Sequence, residues 1–587
     1  MKHISLIYII LASLLIGTSC KESFLDRAPE TSISDAEFWK SASDLQLYAN
    51  NWYTIFPTYT GFGTLGVYGI DADGGSDNMI TLSYNSMLNA ERVVPATGGG
   101  WDWTRVRNVN YFLANYSKST EAWDVIGPYV GEAYFFRAYF YYTLLKQFGD
   151  LPWINQPLVP NSPELYDARI SRGIIVDSML NDLDKAIEYL PSRNASTTRI
   201  SRINKQIAQL FQARVALYEG TWEKYHSGTP FGVTGSTGEK YLQKAAQVTD
   251  NLIANPGGNA LDPLTATTAN NNMGYWGLFN QTDYRNNTEV MLFRHYIIGV
   301  NAGHNWHRYT LSGAGRGITK NMVDAYLCTD GSPISTSSLY QGDNTLLDVV
   351  KNRDPRMVQS IYINDNQHYI TTGGSTVIFQ VPTFSLANEY KSATGYQLYK
   401  GHNPSSTQQV SDQGTTGAIY FRFAEALLIN AEAKAELGTV TQQDLDNTIN
   451  KLRSRVSMPN MILSSLPSDS SPEFPALSRI INEVRRERRV ELAFEGFRLD
   501  DLFRWAAADE KIFGLKPLGA IRSQWDGIVP AETLNTFPIN SGGYIELFRN
   551  VAAMSAGYKF NVARDYLYPL PTDQLTLNPA LTQNPGW

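Results

Sequence analysis

The amino-acid sequence predicts a mainly α fold of degenerate tetratricopeptide-like helix pairs forming a curved scaffold, with long irregular loops and a few short strands. Three observations point there. Apolar residues recur at helical spacing in separate runs along the chain. Alanine stands at packing positions where two helices must approach closely, and the runs are separated by Gly/Asn/Asp/Ser-rich stretches.

The N-terminus comes first. Lys2 and His3 precede an apolar run from Ile4 to Ile16, too short to cross a bilayer as a helix but of the length of a secretory h-region. It ends at Gly17, Thr18, Ser19 and Cys20, which resembles a bacterial lipoprotein cleavage site, although Gly17 stands where a large apolar residue is usual. Lys21 and Glu22 resemble a short export signal for the outer face of the outer membrane. Residues 1–19 are therefore read as a signal peptide and Cys20 as the lipidated residue. Only one other cysteine exists, Cys328, so lipidation leaves no intramolecular disulfide.

Helices follow in order. Tyr134, Phe135, Ala138, Tyr141, Tyr142, Leu145 and Phe148 share a helical face over Tyr129 to Phe148, and Gly149 and Pro152 end it. Ile174 to Leu190 repeats the pattern up to Pro191. A third run carries Ile207, Leu210, Phe211, Leu217 and Tyr218, and a fourth covers Tyr241 to Ile253 before Pro256. A further pair holds Phe423, Leu427, Leu428, Ala431 and Ala435, then, beyond Gly438, Leu445, Ile449 and Leu452. The spacing is irregular and the signature of the repeat is not intact, hence degenerate repeats stacked as a scaffold.

Two loops stand apart. Tyr59 to Trp101 and Pro256 to Arg316 are rich in small polar residues, except for the strand-like Glu289 to Tyr296. Loops of that length inside a domain usually carry function. We expect them to meet on one face.

Charge narrows the partners. Lys and Arg number 49 against 56 acidic residues, a net charge of −7, so phosphate backbones are not attracted and no nucleic acid is expected. Aromatics make up 12% of the chain, with 34 Tyr and 12 Trp, which suits an amphipathic binding surface and also an aromatic core.

Several ordered segments resemble one family. RRERRVELAFEGFRLDDLFRW from Arg485 to Trp505 is the longest, joined by AYFFRAYFYYTLLKQFGDLP from Ala133, YFRFAEALLINAEA from Tyr420, NRDPRM from Asn352 and the ending YPLPTDQLTLNPALTQNPGW. Phe24, Leu25, Asp26, Pro29, Phe38 and Trp39 match the usual start after the cysteine. The chain thus resembles the RagB/SusD family of outer-membrane nutrient-uptake lipoproteins. The resemblance implies four tetratricopeptide-like units, a lid over a TonB-dependent transporter of the SusC type, glycan as ligand, and catalysis left to other enzymes. It divides the chain into a helical region 20–255 and a C-terminal region 256–587 packed against it in one unit.

The residues of the longest segment have their own reading. At about 100° per residue, Ile480, Ile481, Val484 and Leu492 form an apolar stripe that also contains Arg488, Glu491 and Glu495. Arg488 is expected to pair with Glu491, and Glu483 with Arg486 nearer the polar side, as a structural ion network. Interleaved acids exclude a nucleic-acid face.

No HExxH, GxSxG or GxxxxGK[ST] motif occurs. A non-enzymatic glycan-binding protein leads. A glycoside hydrolase using two carboxylates comes second, and a repeat scaffold binding a peptide or protein partner third. Ligand contact needs flat aromatic faces and amide or charged groups for hydroxyls. Tyr84, Asn85 and Trp101 in the first loop and Tyr275, Trp276 and Trp306 in the second supply them, the alternative for each being the core. Trp103, Asn110 and Tyr111 are assigned to packing. Asp71, Asp73 and Asp77 in DADGGSD offer oxygens to a structural calcium, with turn formation the stronger reading. His295, His304 and His307 lack further zinc ligands and are read as exposed loop histidines. No cofactor is expected otherwise.

Overall fold

Helix α1 (Ala42–Asn50) opens the computed structural model, held by a capping box in which Ser41 and Asp44 satisfy each other's backbone amides. The structure describes residues 38–59, 72–195, 201–267, 270–300, 303–387 and 390–587. The signal segment, Cys20 and Asp71 lie outside the described residues.

Five longer helices follow: α2 (Thr104–Asn115), α3 (Trp123–Phe148), α4 (Arg172–Tyr189), α5 (Lys205–Tyr225) and α6 (Glu239–Ala254). From α3 onward each packs on the next. Helix α3 begins at Trp123 rather than Tyr129, because Ile126, Tyr129 and Val130 all bury and carry the helix across Pro128. It ends at Gly149, whose φ of 70° favours glycine and whose added Cβ would lie 2.8 Å from Leu567 Cδ1. The FGD stretch is thus shaped by the C-terminal segment that crosses it.

Helix α7 (Phe423–Leu437), stopped by Gly438 at φ 72°, packs on α6 and on α10 (Arg479–Glu491). The helix expected after Gly438 is broken at Thr448 into α8 (Gln442–Asn447) and α9 (Ile449–Ser454). Strands are few among the described residues. Antiparallel pairs join β1 (Met79–Thr81) to β3 (Arg316–Ile318), β2 (Val290–Arg294) to β6 (Ala418–Arg422), and β4 (Tyr369–Thr371) to β5 (Val377–Ile378). The largest apolar cluster draws on both halves of the chain, with Phe135, Leu145, Phe211 and Trp222 beside Phe421, Leu427, Leu502 and Tyr566.

A buried ion lattice surrounds α10. Glu491 accepts from Arg356 at 2.9 Å and from Arg422 at 2.8 Å, and Arg455 joins on the same carboxylate. Burial would raise its pKa, but Arg455, Arg422 and Arg356 outweigh burial and lower it. Arg422 also pairs with Glu289 and Glu495. Glu483 and Arg486 pair at 3.3 Å as expected, but both are buried, not on a polar side. Arg488 does not pair with Glu491. Its Nε donates to Asp501 at 2.9 Å, on α11 (Arg498–Arg504). Partners from other elements outcompete the neighbour on the same helix.

Candidate functional site

The two polar loops do meet. β1 pairs with β3, the Tyr59 backbone N–H donates to the Tyr296 hydroxyl at 2.8 Å, and the Tyr59 ring stacks on Trp306 with centroids 5.0 Å apart. The aromatic residues expected to face ligand there are core residues instead. Tyr275 is 1% exposed, with its hydroxyl donating to the Glu491 carbonyl, and Trp276 is 2% exposed, stacked on Tyr399 with its indole N–H on the Tyr399 carbonyl. Trp306 is 6% exposed and donates to the Gly401 carbonyl. The cause is a cover from later in the chain: Trp276 lies in one apolar cluster with Ile361, Tyr362, Leu398 and Tyr399. The cavity left beside Trp306 is about 40 Å³.

The other expectations for these loops separate. His304 and His307 are buried, contrary to the exposed reading, and bond the Thr416 carbonyl and hydroxyl respectively. Burial lowers the His304 pKa to about 4, so it is neutral at pH 7. Asp73 accepts from the Asn78 side chain and from the Phe494 and Gly496 backbone amides, and Asp77 from Arg489 and Arg498. Those donors occupy the oxygens a calcium would need, and among the described residues no cluster of three or more His, Cys, Asp or Glu could hold a metal. Asp73 and Asp77 thus form a buried tie between this turn and α10 with the segment after it. Tyr84 and Asn85 are half-buried against the C-terminal region, Tyr84 edge-on to Phe548 and the Asn85 backbone N–H on the Tyr558 hydroxyl.

Trp101 lies elsewhere, in a cleft of about 590 Å³. Ligand sites occupy roughly 300–1,000 Å³. One wall comes from the start of α2: Trp101 and Trp103 meet edge to face at 5.3 Å, with Val106 and Arg107 beyond them. Trp101 is braced by Phe148 and Trp103 by Tyr141. The second wall is the loop after α3, Pro152 to Asp167. Buried Asn110 donates to the Ile154 carbonyl at 2.9 Å, the Tyr141 hydroxyl takes the Ile154 N–H at 2.6 Å, and Arg137, held two-pronged by Asp182, reaches the Asn155 carbonyl. The third wall is α12 (Thr572–Leu577) and residues 578–581. It is tied to the first by Thr572 N–H on the Pro95 carbonyl and Asp573 N–H on the Ala96 carbonyl, and to the second by the Asn578 amide on the Asp167 carbonyl at 3.0 Å.

Three walls thus hold two indoles, the Tyr166 ring, apolar side chains and a few polar groups. Tyr166 is 58% exposed, and Val159, Leu165 and Leu577 also reach solvent at the rim. Gln156 donates to Glu164 at 2.7 Å, and the Gln574 side chain has no internal hydrogen bond among the described residues. An apolar floor with few oriented polar groups is what a small amphipathic ligand requires. A second cavity of about 280 Å³ contains the ion pairs Lys146–Asp500 and Arg214–Glu425, so its charges are already matched.

Sequence reasoning placed Trp101 at a site but missed Trp103, Tyr166 and Gln574. Trp103 and Asn110 were assigned to packing, and Asn110 does pack, by fixing the second wall. The missed signal was the stretch QPLVPNSPELYD, a proline-rich loop carrying an aromatic residue between two helices.

Fold and cleft define a helical-repeat protein with an aromatic-lined cleft on its surface. The chain belongs to the SusD family: the profile of that family matches residues 265–587, and a second, described as starch-binding associating with outer membrane, matches residues 79–217. A SusD-like protein P2 of Formosa agariphila is 24% identical over the full length of both chains. A SusD-like carbohydrate binding protein of Bacteroides fragilis superposes with a TM-score of 0.70 at 24% identity, covering 93% of this chain and 100% of its own. A laminarin binding SusD-like protein gives 0.54 at 19%, covering 94% and 100%. Among the described residues no helix is long and apolar enough to cross a membrane.

Proposed function

We propose that this protein captures oligosaccharide in the cleft bounded by Trp101, Tyr166 and α12, at the outer membrane, and passes it to a TonB-dependent transporter of the SusC type. The observation that carries this reading is the cleft itself: braced indoles beside unengaged amide and carboxylate groups, on a chain whose family includes carbohydrate binders. Indole faces stack on the apolar side of a sugar ring while the polar rim meets its hydroxyls. Cys20 would carry the lipid anchor.

The protein acts without turnover in this reading. Glu223, a carboxyl raised to about 7, owes its shift to burial and to Glu219; it lies on α5 and does not line the cleft. Incubation with a glycan panel, following retention and product release together, tests both parts. Retention without products is expected; released products would return the hydrolase reading. Cys20→Ala should free the protein from the membrane fraction, and a variant that stays there would refute the anchor.

A further inference from the structure

One large aromatic side chain belongs to neither the cleft nor the core. Trp123, the first residue of α3, is 48% exposed, and its indole N–H has no hydrogen bond among the described residues. A single exposed apolar residue is ordinary, but this one is seated. A Cβ added at Gly127, one turn on, would lie 3.1 Å from Trp123 Cε2, 3.2 Å from Nε1 and 3.4 Å from Cζ2. The nearest atom is a ring-fusion carbon, so the indole lies face-down on the glycine and carries its exposure on the other side. Tyr189 stands at 87° to it with centroids 5.0 Å apart, Tyr116 lies 6.4 Å away, and Tyr134 follows 6.1 Å from Tyr189. The three hydroxyls are unbonded among the described residues, and Lys185 Nζ sits 4.8 Å over the Tyr134 ring. With Asp124, Lys185 and Glu188 exposed around it, the patch lacks the charge-depleted centre of a protein interface.

The patch is aligned with the cleft. At about 100° and 1.5 Å per residue, Tyr134, Tyr141 and Phe148 lie within about 20° of Trp123 around α3, and Phe148 stands about 37 Å along the axis from it. Phe148 and Tyr141 brace Trp101 and Trp103 of the cleft. The two sets of indoles therefore stand at opposite ends of one stripe of one helix. We infer that Trp123, backed by Gly127 and flanked by Tyr189 and Tyr116, is a second sugar-stacking site, and that the protein holds an extended glycan chain at two points. The inference rests on the cleft being a glycan site. An indole face with unbonded hydroxyls beside it supplies the apolar contact and the polar rim that a sugar ring needs. Once the cleft holds one end of a chain, the second contact is intramolecular, so a weak site raises the affinity for long chains alone.

Calorimetry on the full-length protein would test this with chains of defined length, from trisaccharide upward, of α-glucan, laminarin, galactomannan, xylan, polygalacturonate and alginate. In a series that binds, affinity should stay level for short chains and rise about tenfold once a chain can span the two sites. Trp123→Ala should abolish that rise while leaving trisaccharide affinity and the melting temperature nearly unchanged. Gly127→Ala, whose Cβ displaces the indole, should do the same. Comparing wild type with variant cancels the statistical gain that a longer chain has at any single site. A rise that persists in folded Trp123→Ala, or no rise in the wild type, would overturn the second site and leave the cleft reading intact. Trisaccharide binding unchanged in a folded Trp101→Ala variant would overturn the cleft reading and the two-point inference with it. No binding in any series would overturn both.

Discussion

Around Glu491 three guanidiniums close on one buried carboxylate, whereas at Trp101 two indoles and a tyrosine line an open cleft with an amide that bonds nothing among the described residues. Both regions gather residue types that composition alone marks as interactive. In the first, every strong interaction ends inside the molecule, and its density of charge tells of folding. In the second, the interactions are braced from behind and unfinished in front. What separates a binding surface from a structural one here is the unmet remainder, not the number of charged or aromatic side chains.

The largest expected effects fall on the lattice and the core. Arg422→Ala would leave Glu289, Glu491 and Glu495 short of a shared partner, costing about 3–5 kcal/mol in denaturant unfolding. Arg488→Ala should cost less, because Arg504 still serves Asp501 and Glu432. Equal losses would mean the lattice has no centre. Trp276→Ala should cost about 3–5 kcal/mol by opening a cavity, while the folded fraction keeps its glycan affinity. Weakened binding at unchanged stability would place Trp276 in the site after all.

On the cleft side the comparison reverses. Tyr166→Ala should leave the melting temperature nearly unchanged, since the ring is mostly exposed, and weaken oligosaccharide binding by roughly 1–2 kcal/mol. A melting temperature that falls with affinity intact would turn the rim into packing.

The smallest effect is one of pH. Glu223, raised to about 7 by burial and Glu219, holds a proton in the folded state that the unfolded chain releases above about 4.5, so its contribution is present at low pH and lost as pH rises toward 7. Glu223→Gln should flatten the decline in melting temperature between pH 5 and pH 7. An unaltered slope would show that Glu223 is ionised throughout.

Helices were legible because their apolar period is written locally; α4, α5, α6 and α7 lie where spacing placed them. The short strands were not, apart from β2, since β1 and β3 are three residues each and are joined across more than two hundred positions. The lattice was half legible. Helical spacing reveals that Arg488 and Glu491 share a face, but Asp501 and Arg422 reach them from other elements. The DADGGSD stretch is a turn, as its stronger reading had it, but its counter-charges Arg489 and Arg498, some four hundred residues away, were out of reach of local spacing. Among the aromatic residues, Trp101 stays half-buried at a cleft whose later walls stand off from it, and Trp276 is buried because Tyr399 stacks on it.

The tie from Thr572 to Pro95 and from Asp573 to Ala96 bears on biosynthesis. Both indoles emerge within the first fifth of translation, yet the wall opposite them arrives only with α12. A polypeptide ending just before residue 572 would keep α1 to α11 and lack the third wall of the cleft. Closing so wide a loop adds little to the equilibrium cost but delays the event in time. On the proposed function, ligand competence would therefore be the final stage of maturation, reached after the rest of the molecule has taken shape.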